Sequence, residues 1–234
     1  MGVGLTEAHR IYEQLWSKTG ALLKSGRMRI DSRLQDKAGD DRRGVTLVAR
    51  PDAGVQKNVA NFLREAATLC PRQHFYQPSE LHVTVMAIIA NSEFWREEIH
   101  QLPAGRVVLD RVLNNCGPFR IDFRGVTVSS DAVLIQGFPA DNVLSRLRDE
   151  LRDAFRKAGL GENLDRRYKA VTAHLTVMRF CEPEADWKRL FDFLQTHRET
   201  DFGETYCQTL QLIRGNWYAS AGMVRLLQEY PLNV

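Results

Sequence analysis

Two tetrapeptides carry the strongest chemical signal in this chain: His82-Val83-Thr84-Val85 and His174-Leu175-Thr176-Val177. Each reads His-apolar-Thr-apolar, and Met follows each, as Met86 and Met178. Side chains alternate faces along a strand, so each motif presents an imidazole and a hydroxyl on one side and aliphatic residues on the other. Two such pairs suit a phosphate. One imidazole takes a proton, the other gives one, and the two hydroxyls hold non-bridging oxygens. An unperturbed His titrates near about 6.5, so both protonation states are accessible at neutral pH. A single copy would be a weak pattern; two copies on equivalent elements are a strong one.

The elements that must position these motifs are themselves duplicated. Val45-Thr46-Leu47-Val48 runs into Pro51 and a helical stripe of Val55, Val59, Leu63 and Ala66. About ninety residues further on, Val133-Leu134-Ile135 runs into Pro139 and a stripe of Val143, Leu147, Leu151 and Ala154. Each is a β-run ended by Pro near a helix start, followed by apolar residues one turn apart. The His-bearing strand follows in both halves, then a segment with a matching Trp, Trp95 or Trp187. Ile121 to Val128 and Thr209 to Ile213 read as further strands. A repeat this long predicts two fused lobes rather than a solenoid, with the two His-x-Thr strands brought together in one cleft.

An extra segment precedes the duplication. Ala8, Ile11, Tyr12, Leu15 and Trp16 form a helical stripe, capped by Thr6 and ending near Gly20, which packs on the first lobe. Residues 24 to 44 are polar and basic and read as loop. The domain reading is therefore an N-terminal helix and basic loop over 1–42, then one bilobal domain over 43–234. Its repeat halves run over about 43–130 and 131–231, with exchange of strands between lobes allowed.

Composition bounds the remaining options. The 234 residues, 44% hydrophobic, can bury one good core or two intimate lobes. A formal net charge of +3 does not imply non-specific nucleic-acid binding. The basic clusters at Arg27 to Arg33, Arg42-Arg43 and Arg166-Arg167 read as solvated surface. No run of about 18 apolar residues and no basic-then-apolar leader occurs, so the chain is expected off the membrane and in the cytoplasm. Cys70, Cys116, Cys181 and Cys207 are widely spaced, with no C-x-x-C pair, and fit reduced, packed thiols. His9, His74, His100 and His197 share no metal-ligand spacing with each other or with Cys or carboxylates, so neither a metal nor a cofactor is expected. Glycine-rich phosphate loops and a Ser nucleophile elbow are missing as well, which disfavours ATP-driven and Ser-nucleophile chemistry.

The paired H-[apolar]-T-[apolar] strands in a duplicated α/β chain of this length resemble the two-histidine (2H) phosphoesterases, and within them the 2′-5′ RNA ligase-like, or LigT-like, branch. The resemblance covers roughly residues 43 to 231. It implies an α+β bilobal fold with two antiparallel-rich sheets around a central cleft and helices outside. It also implies metal-independent action on 2′,3′-cyclic or 2′-5′ phosphodiester bonds, with His82, Thr84, His174 and Thr176 as the catalytic and phosphate-holding set. The expected partner is a nucleotide or an RNA end, and the expected state a monomer. Tyr76 and Tyr168 share the parity of His82 and His174 and could stack on a base, although Pro78 interrupts the first run. Arg179 lies an odd number of positions from His174 and should face away unless a bulge turns it inward. Two other classes use the same residues: a 2′-5′ RNA ligase running the reverse reaction, and a nucleotide- or RNA-binding module without turnover.

Overall fold

The computed structural model describes residues 7–36, 39–164, 169–184 and 186–233. The N-terminal stripe folds as α1 (Glu7–Lys24), which passes through Gly20 instead of stopping there. A Cβ on Gly20 would lie 3.3 Å from the ring of Phe191, so this glycine permits close packing and does not break the helix. The stop comes at Gly26, whose φ of 69° suits glycine, with Gly26 N and Arg27 N donating back to Leu23 and Leu22. Thr6, the expected cap, lies outside the described residues.

The first half then gives β1 (Arg43–Ala49), α2 (Ala53–Leu69), β2 (His74–Phe75), β3 (Val83–Ser92), α3 (Trp95–Glu98), α4 (Leu102–Leu113) and β4 (Phe119–Val128). The second gives β5 (Ala132–Pro139), α5 (Val143–Lys157), β6 (Leu175–Arg179), α6 (Trp187–Thr196), β7 (Asp201–Cys207), β8 (Thr209–Asn216) and β9 (Arg225–Pro231). Pro51 and Pro139 end β-runs ahead of α2 and α5, and Trp95 and Trp187 open α3 and α6, as the duplication predicts. The helices α2 and α5 bury Val55, Val59 and Leu63, and Leu147 and Leu151, on one stripe each.

The described strand pairs are all antiparallel, in the order β7-β4-β5-β6-β3-β1-β8-β9 with β2 added on β6. The class is α+β, with an N-terminal helix. The two expected sheets are the two halves of this one sheet, β7-β4-β5-β6 and β3-β1-β8-β9. They join through one direct pair among the described residues, Val83↔Leu175, and β2 pairs with β6 alone. Strands cross between halves: β4 pairs with β5 and β7, whereas β8 pairs with β1. Val83, Val85, Leu175 and Val177 are all buried in the core. The four cysteines are buried free thiols. Among the described residues, no helix is long and apolar enough to cross a membrane.

Candidate active site

His82 and His174 each sit one residue before the strand that carries the rest of the motif. Because Val83 pairs with Leu175, the antiparallel register sets Thr84 towards His174 and His82 towards Thr176. All four side chains are half-buried and line one cavity of about 480 Å³, together with Tyr76 and Arg179. Helix α1 contributes Ile11 and Leu15 to the same wall.

Each motif strand carries a bulge just after its Thr. On β3, Val48 pairs with Thr84 and Leu47 with Met86, which leaves Val85 as the extra residue. On β6, Leu134 pairs with Thr176 and Val133 with Met178, which leaves Val177 extra. The bulges reset the alternation, so Val85-Met86 and Val177-Met178 all turn into the core. Ala87 and Arg179 then return to the cavity face. Regular alternation would send Arg179 away from His174; the bulge at Val177 corrects that expectation. Arg179 donates through Nε to the Tyr76 hydroxyl at 3.0 Å and through Nη1 to Asp131 Oδ2 at 2.9 Å.

Tyr76 reaches the cavity by a route other than strand parity. Pro78 starts a 3₁₀ turn over Pro78–Glu80, so no continuous strand links Tyr76 to His82. Instead Tyr76 N donates to Val177 O at 3.0 Å, docking the residue against the bulge of β6. Tyr168 lies outside the described residues.

The two imidazoles have different supports. His82 Nδ1 lies 2.7 Å from the Glu80 carbonyl oxygen. A carbonyl can only accept, so Nδ1 carries the proton and Nε2 of the neutral ring keeps its lone pair. His174 Nδ1 lies 2.8 Å from Thr172 Oγ1, a hydroxyl that can either donate or accept, so this ring can hold its proton on Nε2. Burial pushes both down to about 4, and neighbouring cations add to it: Arg50 and Arg179 at His82, Arg148 and Arg179 at His174. Arg50 donates to Ser79 O and Leu81 O, each at 3.1 Å, and so braces the approach to His82.

Sequence reasoning passed over several cavity residues. Trp217 lines the cavity between two guanidiniums, with Arg42 at 5.7 Å and Arg179 at 5.5 Å from its ring centroid. The adjoining Tyr218 accepts from Arg42 Nη2 and donates to Asp31 Oδ2, both at 3.0 Å. The only sequence signal was an aromatic pair just past a strand, which is common in packed turns. His9, His74, His100 and His197 are not among the cavity's described lining. His9 stacks on Phe138 at 4.2 Å, and His197 follows the end of α6, its Nδ1 2.9 Å from Phe193 O. Among the described residues, no three His, Cys, Asp or Glu converge as a metal cage.

TT0787 of Thermus thermophilus has a similar fold, with a TM-score of 0.57 and 17% identity over 81% of this chain and 97% of its own. E. coli LigT, solved in complex with ATP, gives a TM-score of 0.53 and 14% identity over 82% and 99%. A further structure described as a phosphoesterase gives 0.51 and 16% over the same shares. Among curated protein sequences, none matches the chain. The fold is that of the LigT-like 2H phosphoesterases. Residues 51–231 match the AKAP7 2′5′ RNA ligase-like domain, and the chain belongs to that family.

Proposed function

We propose that this chain is a metal-independent phosphodiesterase that opens 2′,3′-cyclic phosphate or 2′-5′ phosphodiester bonds of nucleotides or RNA ends. The observation that carries the reading is the pair of imidazoles in one cavity with unlike Nδ1 partners. His82, its Nδ1 proton committed to Glu80 O, is the base: Nε2 takes a proton from water as the water oxygen bonds to phosphorus. His174 is the acid: it enters as imidazolium, its Nδ1–H donating to Thr172 Oγ1, and its Nε2–H protonates the departing ribose oxygen as the phosphorus–oxygen bond breaks. His82 ends the turnover protonated and His174 neutral, and exchange with solvent restores them. Thr84 and Thr176 hydrogen-bond the equatorial oxygens, where negative charge is held, and Arg179 adds a fixed cation. Trp217, half-buried on the rim, offers a flat face for a base. The LigT structures carrying ATP and 3′-AMP, ligands of that protein, support a nucleotide as the occupant.

The test is turnover of 2′,3′-cyclic nucleotides and 2′-5′ dinucleotides in excess EDTA, for wild type, His82→Ala and His174→Ala. Wild-type activity should survive chelation. Each variant should lose about 10²–10⁴-fold in kcat while binding nucleotide phosphate within about tenfold of wild type. The double variant should be little worse than either single one, because acid and base act as a unit. Activity that EDTA abolishes and a divalent ion restores moves the protein to another mechanism. Near wild-type turnover in both single variants leaves a binding module only.

A further inference from the structure

Arg148 occupies a position on α5 that its helical spacing assigns to an aliphatic residue, in line with the buried Leu144, Leu151 and Phe155, and it is 2% exposed. Its guanidinium spans the two His-bearing segments. Nη2 donates to Thr84 O at 2.7 Å and Nε to Val85 O at 3.1 Å, both on β3. Nη2 also donates to Thr172 O at 2.9 Å and Nη1 to Val171 O at 3.1 Å, both on the approach to His174. Continued past Val83↔Leu175, an antiparallel ladder would set Val85 against Ala173. No such pair forms; the segments part there, and one planar fork collects the carbonyls that the ladder leaves open.

We propose that Arg148 is a positioning residue, a fixed cation that holds the two His-bearing segments at the separation one phosphate requires. The proposal rests on the phosphodiesterase reading above, and it deepens it by naming what sets the acid–base geometry. The duplication has no second copy of the device, because the equivalent position on α2 is Ala60. Arg148 also makes the environments of the two imidazoles unequal. The groups acting on His174 are Arg148 from α5, His82 beside β3, Arg179 on β6 and the Thr172 hydroxyl on its own approach. After burial, Arg148 is the largest influence holding His174 neutral.

Two substitutions separate the fork from the charge. Arg148→Lys keeps the cation but cannot reach four carbonyls in a plane; Arg148→Met keeps the apolar stem and removes the cation. Three measurements apply to each: the melting temperature, the imidazole titration of the ligand-free protein by NMR, and kcat and KM on a 2′,3′-cyclic nucleotide. Arg148→Lys should fold, leave the His174 titration near wild type, and lose about 10–100-fold in kcat with KM within about threefold, as a displaced proton donor does. Arg148→Met should raise the His174 titration and move that of His82 less. A wild-type kcat in Arg148→Lys, or a folded Arg148→Met with an unmoved His174, overturns the proposal. So does failure of both variants to fold, which would leave Arg148 a folding residue only. If wild type itself turns over no phosphodiester, the functional reading fails, and the ligand-free titration still decides whether Arg148 sets the state of His174.

Discussion

His82 and His174 share a motif and a cavity, yet their Nδ1 atoms meet unlike partners, Glu80 O on one side and Thr172 Oγ1 on the other, and the proposed mechanism gives them opposite tasks. Burial holds both near 4, so in the ligand-free protein at pH 7 only roughly one His174 in a thousand carries the proton that the proposed acid needs. The ratio kcat/KM reports this free state. It should therefore fall about tenfold per pH unit from roughly 5 to 7. A bound phosphate brings negative charge that favours imidazolium, so kcat should peak at higher pH than kcat/KM. A kcat/KM maximum at pH 7 would show that the pair is not depressed. The sign for stability runs the same way. Each His binds its proton in the unfolded chain near about 6.5 but in the folded one only near 4, so stability declines on acidification between those values. The rate profile must accordingly be paired with melting temperatures at each pH.

At the scale of the element, α1 walls the cavity through Ile11 and Leu15, although it lies outside the family match at 51–231. Tyr12 is fully buried; its hydroxyl donates to Gly137 O and accepts from Gly137 N, both at 3.2 Å, and its carbonyl accepts from Thr127 Oγ1 at 3.1 Å. Tyr12→Ala should cost about 3–5 kcal/mol in urea unfolding through the cavity it leaves, and Tyr12→Phe about 1–2 kcal/mol through the unmade hydrogen bonds. A loss below about 1 kcal/mol for Tyr12→Ala would mean that α1 is only loosely docked. The stripe of Ile11, Tyr12 and Leu15 announces such a helix from sequence because helical spacing is local. The paired His-x-Thr strands are legible for the same reason. What stays hidden is what depends on distant partners. The bulges at Val85 and Val177 are defined by β1 and β5, so Arg179 cannot be placed from β6 alone. Arg148 stands in line with the apolar residues of α5, and the four carbonyls it meets, all distant in sequence, account for its burial. An arginine at stripe spacing beside a duplicated motif is the signal that could have found it.

At the scale of the whole molecule, the strand pairing does not follow the duplication seen in sequence. Residues before 131 include β4, whose strand partners β5 and β7 both come from the second half. Residues after it include β8, whose partner besides β9 is β1. A chain cut between residues 130 and 131 thus strands β4 on one fragment and strips β1 and β5 of a neighbour each, which leaves open edges and exposed apolar faces. The cavity also needs both fragments, because His82 and Thr84 come from one and His174, Thr176 and Arg179 from the other. Fragments 1–130 and 131–234 should each lack native near-ultraviolet dichroism when separate, and should recover it together with activity when refolded as a mixture. The intact chain should unfold in urea as one transition, with near- and far-ultraviolet signals coinciding. Two separated transitions, or a fragment that folds alone, would instead mean that the halves of the sheet are independent and that the Val83↔Leu175 join and the Arg148 bridge form only after folding.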